Sequence, residues 1–336
     1  MTRAAPEPLR EYLAAQGLTN GEAVTLRPLS GGQSNPTFVV DTAGRRMVLR
    51  KKPAGTLLAS AHAIDREYRV MGALRGTGVP VPGMLAYCGD ANILGTPFYL
   101  MEFVDGRVLV DQSLPGMEPG ERAQTYEEMC RVLAALHQVD WRSVGLESFG
   151  KAGNYFQRQV ARWSRQCEGS KLPLPLAMRR LMEWLPDHIP DRDETTLLHG
   201  DYRLDNLVFH ASEPRVIGVL DWELSTLGDP LADLSYQCMA WHIPAALWRG
   251  VAGVDLRALG IPTEADYLHR YAEATGREIP ADWNFYLAFN LFRMAAILHG
   301  IADRAAAGNA ASSDAVETGR KAGPIADIGW SCASKL

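Results

Sequence analysis

The chain is short of the features that would place it on a nucleic acid, in a membrane or in an oxidising compartment. Lysine and arginine number 34 against 39 aspartates and glutamates, a net charge of −5, and no basic run occurs. Nucleic-acid binders ordinarily carry a basic excess or stripe, so that class is set aside. The five cysteines, Cys88, Cys130, Cys167, Cys238 and Cys332, lie far apart. An odd number without a C-x-x-C pair argues against a disulfide framework and leaves no cluster with zinc-ligand spacing. Buried thiols in a reducing cytoplasm are the expectation. The start, Met1 to Pro8, leads into a polar helical pattern rather than an apolar signal core. The longest hydrophobic stretch, Phe285 to Ile301, contains Asn290, Arg293 and His299, and reads as too short and too polar to span a bilayer. A soluble, cytoplasmic protein follows as the expectation. No internal repeat appears, and the small-residue run near Ala305 to Ser313 is the one biased tract.

What is present is an ordinary globular composition over 336 residues, enough for two domains or one two-lobed unit. The first hundred residues read mostly as strands. Val24 to Leu29, Pro36 to Asp41 and Arg46 to Arg50 are short, β-branched or alternating, and separated by Gly31-Gly32 and Ala43-Gly44. Two further strands fit Gly83 to Tyr87 and Phe98 to Phe103. A helix is predicted from Ser60, as its cap, to Leu74, because Ile64, Tyr68, Met71 and Leu74 recur at helical spacing. After Val104-Asp105-Gly106 the character changes to helices: Glu121 to Val139, Tyr155 to Cys167, Leu176 to Trp184, Pro230 to Ala240, Glu264 to Thr275 and Ala281 to Ala306. Short strands and turns occupy Thr195 to Leu220. The predicted class is α+β, with a β-rich lobe over 1–104, a hinge at 101–106, a helical lobe over 105–336, and a cleft between them.

The chemistry concentrates in His199-Gly200-Asp201-Tyr202-Arg203-Leu204-Asp205-Asn206 and Leu220-Asp221-Trp222-Glu223. Phosphoryl transfer requires an acceptor oxygen in line, magnesium bridging phosphate oxygens, and cations on the remaining charge. In kinases an aspartate meets the acceptor hydroxyl, an asparagine five residues later holds metal, and a second aspartate follows. Asp201, Asn206 and Asp221 stand in that order, and His199 completes the H-x-D-x-x-x-x-N pattern. Aspartate and asparagine are common in loops for turn capping alone. The constellation, set between short apolar strands, is what points to function.

On these residues the sequence resembles the aminoglycoside phosphotransferase and choline kinase group of protein-kinase-like small-molecule kinases. Within that group it is similar to the kinase-like domain that precedes the dehydrogenase domain in acyl-CoA dehydrogenase family members 10 and 11. Further stretches carrying the resemblance are Leu29 to Asn35, Val48 to Pro53, Arg66 to Val70, Tyr99 to Gly106 and Gly228 to Leu234. It implies a bilobal protein-kinase-like fold and ATP with Mg²⁺ as cofactors. Asp201 becomes the catalytic base or the group orienting the acceptor, with His199 and Arg203 in the same loop. Asn206 and Asp221 become metal ligands. The turn with Gly31, Gly32, Gln33 and Ser34 would cover the phosphates through backbone donors, since it lacks the G-x-G-x-x-G form. Arg50 stands where protein kinases end their third strand in lysine. It can fork to two phosphate oxygens, with Lys51 or Lys52 as the competing assignment; strand alternation puts Lys52 on the face of Arg50. Glu67 is its implied ion-pair partner. Glu102 to Val104 would meet adenine, Asp233 would brace the catalytic loop, and Asp229 is an N-cap before Pro230.

The acceptor is read less directly. Arg158, Arg162 and Arg165 fall on one side of a helix, either a solvated basic face or a strip for an anionic acceptor. Arg293 interrupts an apolar helix, so it either salt-bridges another element or faces the acceptor. Glu223 joins Arg158, Arg162 and Arg293 as substrate-side candidates. Trp241 and His242 are read as an exposed aromatic and a satisfied histidine, with pocket lining as the alternative. A polycationic aminoglycoside fits this basic insert poorly; the resemblance to the acyl-CoA dehydrogenase-linked domain implies instead a hydroxyacyl-CoA or another anionic hydroxy compound, whose phosphates the arginines could meet. The alternatives are an aminoglycoside or amino-alcohol kinase, or a silent nucleotide- or acyl-CoA-binding relative. A small-molecule acceptor, and neither nucleic acid nor membrane, is the expected partner.

Overall fold

The computed structural model describes residues 2–29, 35–53, 63–308 and 314–336. Gly31, Gly32, Gln33 and Ser34 of the phosphate-covering turn lie outside the described residues, as does the helix cap at Ser60.

Six strands form one antiparallel sheet in the order β1-β2-β3-β4-β6-β5: β1 Arg3–Ala4, β2 Thr25–Pro28, β3 Thr37–Asp41, β4 Arg46–Lys51, β5 Met84–Cys88 and β6 Phe98–Glu102. Alternation along the strands sorts side chains onto two faces. Met47, Leu49, Phe98 and Leu100 point to one face and pack with Leu9 and Leu13 of helix α1, Glu7–Ala15. Val48, Tyr99 and Met101 point to the other face, where they meet Val70, Met71 and Leu74 of helix α2, Ile64–Leu74. Arg50 shares that inner face, and this is why a charged strand residue ends up against Glu67 and Asp221. A short helix α3, Ala91–Leu94, links β5 to β6.

The rest is mainly helical: α4 Pro119–His137, α5 Tyr155–Glu168, α6 Leu176–Trp184, α7 Pro230–Cys238, α8 Leu256–Leu259, α9 Glu264–Thr275, α10 Trp283–Ala306, α11 Ala315–Arg320 and α12 Ala322–Ala333. Between α6 and α7 run short strands: β8 Thr196–Leu198 pairs with β11 Thr226–Gly228, and β9 Leu207–Phe209 pairs with β10 Val216–Val219 and with β7 Arg107–Val108. The motif loop runs from β8 to β9, joining these two small sheets.

Helix α10 corrects one expectation. At 24 residues it is long and apolar enough to cross a membrane, yet 78% of its apolar window is buried inside the protein. Phe156 of α5 packs edge-on against Phe285, Tyr286 and Phe289, and the Asn290 amide donates to Ala232 O and Ser235 Oγ of α7. Its hydrophobicity is that of a core helix. The carboxyl-terminal helices α11 and α12 close over it. Gly319 lies against Ala302 and Gly329 against Leu291, contacts that leave little room for a side chain. All five cysteines are buried free thiols.

Candidate active site

The loop after β8 is fixed from beneath by two helices. Asp233 of α7 accepts the backbone amides of His199 at 2.6 Å and Gly200 at 2.9 Å. From α10, Arg293 donates to the Gly200 carbonyl at 2.6 Å. Gly200 has φ of +83°, and a Cβ there would run into the Leu224 carbonyl, so glycine is required on both counts. Burial works against a charge on Asp233, but His137, His199 and the Gly200 amide hold its pKa below the usual carboxylate range.

His199 is fully buried, 4.7 Å from the Trp222 ring centre. Its Nδ1 accepts the Asp201 amide at 3.2 Å, and its Nε2 faces the Leu220 carbonyl at 2.8 Å. With both nitrogens engaged by backbone it positions the loop and Asp221's segment. His199 therefore packs and hydrogen-bonds beneath the loop, with no ring nitrogen left for a substrate.

Above this base stand the reactive groups. Asp201 Oδ2 accepts from Arg203 Nε at 3.1 Å and Asn206 Nδ2 at 2.9 Å; Asn206 Nδ2 also reaches the Asp201 carbonyl at 2.8 Å. The Asn206 amide nitrogen is thereby turned inward, which leaves its oxygen as the outward acceptor. Leu220 N donates to Asn206 O at 2.8 Å, and Asp221 follows directly in the left-handed region, with φ of 64°. A non-glycine residue in that conformation is an uncommon, costly feature typical of functional turns.

Arg50 joins the sheet to this loop. Its Nε lies 3.0 Å from Glu67 Oε2, and its Nη2 lies 2.7 Å from Asp221 Oδ1 and 3.5 Å from Glu223 Oε2. Glu67 also accepts from Asn35 at 2.8 Å and from the Tyr99 hydroxyl at 3.0 Å. Burial pushes the Glu67 carboxyl up to about 7 despite Arg50. Lys51 is turned away and donates to the Leu94 carbonyl at 2.6 Å. Glu102 ends β6 with its amide bonded to the Gly83 carbonyl at 2.8 Å, and Val104 lies beside Gly218.

The arginine strip is not drawn into this cluster. Arg158 donates to the Lys151 carbonyl at 2.6 Å, while Arg162 is exposed and lies over the neighbouring Trp163 ring. Arg293 follows neither sequence alternative: a carbonyl and the faces of Trp163 and Tyr236, at 5.9 and 5.2 Å, satisfy it. Trp241 is half-buried and donates to the Pro262 carbonyl. His242 pairs with Glu264 at 2.9 Å.

That last pair makes a stability prediction. Burial opposes a charged His242, but hydrogen bonds to Cys332 and Glu264 outweigh it and raise it to about 9. The folded value lies above the ordinary 6.5, so the stabilisation is complete below pH 6.5 and is lost as pH rises through about 9. Its ceiling is about 3 kcal/mol. Melting temperature should fall over that interval in wild type and much less in His242→Gln; equal slopes would discard the assignment.

Three residues that sequence reasoning passed over belong to the cluster. The Tyr236 hydroxyl donates to Asp201 Oδ1 at 2.5 Å, Arg249 donates to Asp205 at 2.5 Å, and Gln237 lies beside them in a small cavity. A signal existed for two of them: Tyr236 and Gln237 follow Asp233 by three and four residues, so one helical face carries all three.

The family profile described as "Phosphotransferase enzyme family" matches residues 25–281. Mouse acyl-CoA dehydrogenase family member 10 is 49% identical over 306 residues, covering 90% of this chain and 29% of that protein. A Ralstonia eutropha JMP134 structure, provisionally described as an aminoglycoside phosphotransferase, is 51% identical, covers 99% of both chains and has a TM-score of 0.91. The aminoglycoside phosphotransferase APH(4)-Ia, solved as a ternary complex with AMP-PNP and hygromycin B, shares the fold at 16% identity, with a TM-score of 0.62 over 96% of this chain and 99% of that one. The chain spans 29% to 42% of the length of the first curated relatives it matches.

Proposed function

Because the chain belongs to the phosphotransferase enzyme family, we propose that it transfers the γ-phosphoryl group of ATP, with magnesium, to a hydroxyl of a small metabolite. The observation that carries this reading is the convergence of Asp201, Asn206, Asp221 and Arg50 within one hydrogen-bonded cluster. A carboxylate and an amide oxygen are hard donors that suit magnesium, which keeps several waters and takes few protein ligands. Asn206 and Asp221 would hold it, and when bound it would neutralise charge on the phosphates. Arg50 is placed to meet phosphate oxygens once Asp221 releases it. Asp201, held by three donors, orients the acceptor hydroxyl and receives its proton.

For the acceptor, the reading is a hydroxyacyl-CoA or another anionic hydroxy compound. Two things support it: relatives that are acyl-CoA dehydrogenase family members, and cationic side chains at Arg203, Arg249 and the exposed face of α5. The test is an ADP-release screen across hydroxyacyl-CoAs, hydroxy acids, amino alcohols, sugars and aminoglycosides. Anionic acceptors should give the highest kcat/KM; a tenfold preference for an aminoglycoside would reverse the reading. Arg162→Glu combined with Arg165→Glu should raise KM for an anionic acceptor by about fivefold per charge at low salt. An unchanged KM would leave α5 a solvated face.

A further inference from the structure

Both oxygens of the Asp201 carboxylate are already taken by the protein's own donors. Oδ2 receives Arg203 and Asn206, while Oδ1 receives the Tyr236 hydroxyl at 2.5 Å. The oxygen that would face an incoming hydroxyl is thus covered by another hydroxyl. Beside it lies a cavity of about 30 Å³, lined by Arg203, Tyr236, Gln237, Trp248, Arg249 and Met294 among others. That is room for one or two waters. Gln237 is 1% exposed, and neither its amide oxygen nor its amide nitrogen has a hydrogen-bond partner. Buried amides are almost always paired, so one held open on both atoms at the edge of a cavity marks a place for an arriving polar group.

Resting on the phosphotransferase reading, we propose that this cavity seats the reacting end of the acceptor. The Tyr236 hydroxyl stands on Asp201 Oδ1 in place of the acceptor hydroxyl and gives way to it. Gln237 then holds a second polar group of the acceptor, one that both accepts and donates a hydrogen bond, as a hydroxyl or an amide does. In the transfer, a bond forms between the acceptor oxygen and the γ-phosphorus. The bond from that phosphorus to the bridging oxygen breaks, with its electron pair leaving on the nucleoside diphosphate. The acceptor proton passes to Asp201 Oδ1. Once displaced from Oδ1, Tyr236 touches none of the reacting atoms and is a positioning residue; Gln237 selects the acceptor.

Water is the smallest acceptor and serves as the probe, through Mg-ATP hydrolysis by the full chain without added acceptor. Tyr236→Phe keeps the ring and its contact with Arg293 but uncovers Oδ1. It should raise kcat for hydrolysis by about three- to tenfold, with KM for Mg-ATP held within about twofold. Adding Gln237→Leu removes the polar wall that holds the water and should return kcat to the wild-type rate or below. Thermal melting and Mg-ATP affinity of each variant separate these effects from misfolding. If Tyr236→Phe lowers kcat and melting temperature together, Tyr236 is structural and the proposal fails. It fails equally if kcat is unchanged, or if the double variant hydrolyses as fast as Tyr236→Phe. Wild type that hydrolyses Mg-ATP while the variants do not differ from it overturns this proposal alone. Wild type that neither binds nor hydrolyses Mg-ATP overturns the phosphotransferase reading, and the proposal with it.

Discussion

Asp201→Ala should lose phosphoryl transfer by about three orders of magnitude while binding Mg-ATP within a few fold of wild type. The size follows from removing a positioned proton acceptor, an effect of about 10²- to 10⁴-fold. The separation from binding follows from the hydrogen bonds. Asn206 is held by the Asp201 backbone carbonyl at 2.8 Å as well as by the side chain, so it keeps its place in the variant. The loop also survives, because Asp233, Arg293 and His199 grip its backbone rather than the Asp201 carboxylate. Arg203 retains Asp205 at 3.4 Å. The loss should therefore appear in kcat, measured as ADP release with the best acceptor from the screen, and not in nucleotide affinity. Turnover near the wild-type rate would show that Asp201 does not carry the chemistry.

The parts of this site that were legible in the sequence are those set by local spacing. Four residues between Asp201 and Asn206 make one turn that brings an amide back to a carboxylate, and strand alternation turns Arg50 inward toward Glu67. Residues that reach the site through tertiary packing left weaker traces. Tyr236 and Gln237 come from a helix whose role in sequence was read through Asp229 and Asp233 alone. Arg293 was expected either to salt-bridge another element or to face the acceptor, because a buried charge without a partner is costly. A backbone carbonyl and two aromatic faces meet that need instead, and neither announces itself in a sequence. Helix α12 was missed for a related reason. Its small and apolar residues carry a weak helical pattern, and they become a helix by lying against α10, where Gly329 permits close approach to Leu291. For the same reason α10 resembles a membrane span: a helix surrounded by protein is apolar on every side.

Asp221→Ala should abolish the dependence of nucleotide binding on magnesium while leaving metal-free nucleotide binding intact or tighter. The asymmetry comes from the double engagement of this carboxylate. Its Oδ1 lies 2.7 Å from Arg50 Nη2, yet its side chain remains 34% exposed toward the cleft. Burial opposes a charge on Arg50, but Glu67, Asp221 and Glu223 together hold it firmly protonated, so on the proposed reading the guanidinium would reach a nucleotide only once Asp221 releases it. Asp221 and Asn206 would hold a divalent cation, and an Asp221 carboxylate engaged there would leave Arg50 free for phosphate. Cation and nucleotide binding would then be coupled through Asp221, a coupling that a surface ion pair would not provide. Without the Asp221 carboxylate, Arg50 is free of that partner from the start, while the cation loses its charged ligand. Titrating ATP with and without magnesium, in wild type and variant, separates the two effects. Magnesium should strengthen wild-type binding by at least about tenfold and leave the variant unchanged. An equal magnesium effect in both would place the metal elsewhere. Weaker metal-free binding by Asp221→Ala would instead mean that Asp221 holds Arg50 in its productive position, and that the exchange described here does not occur.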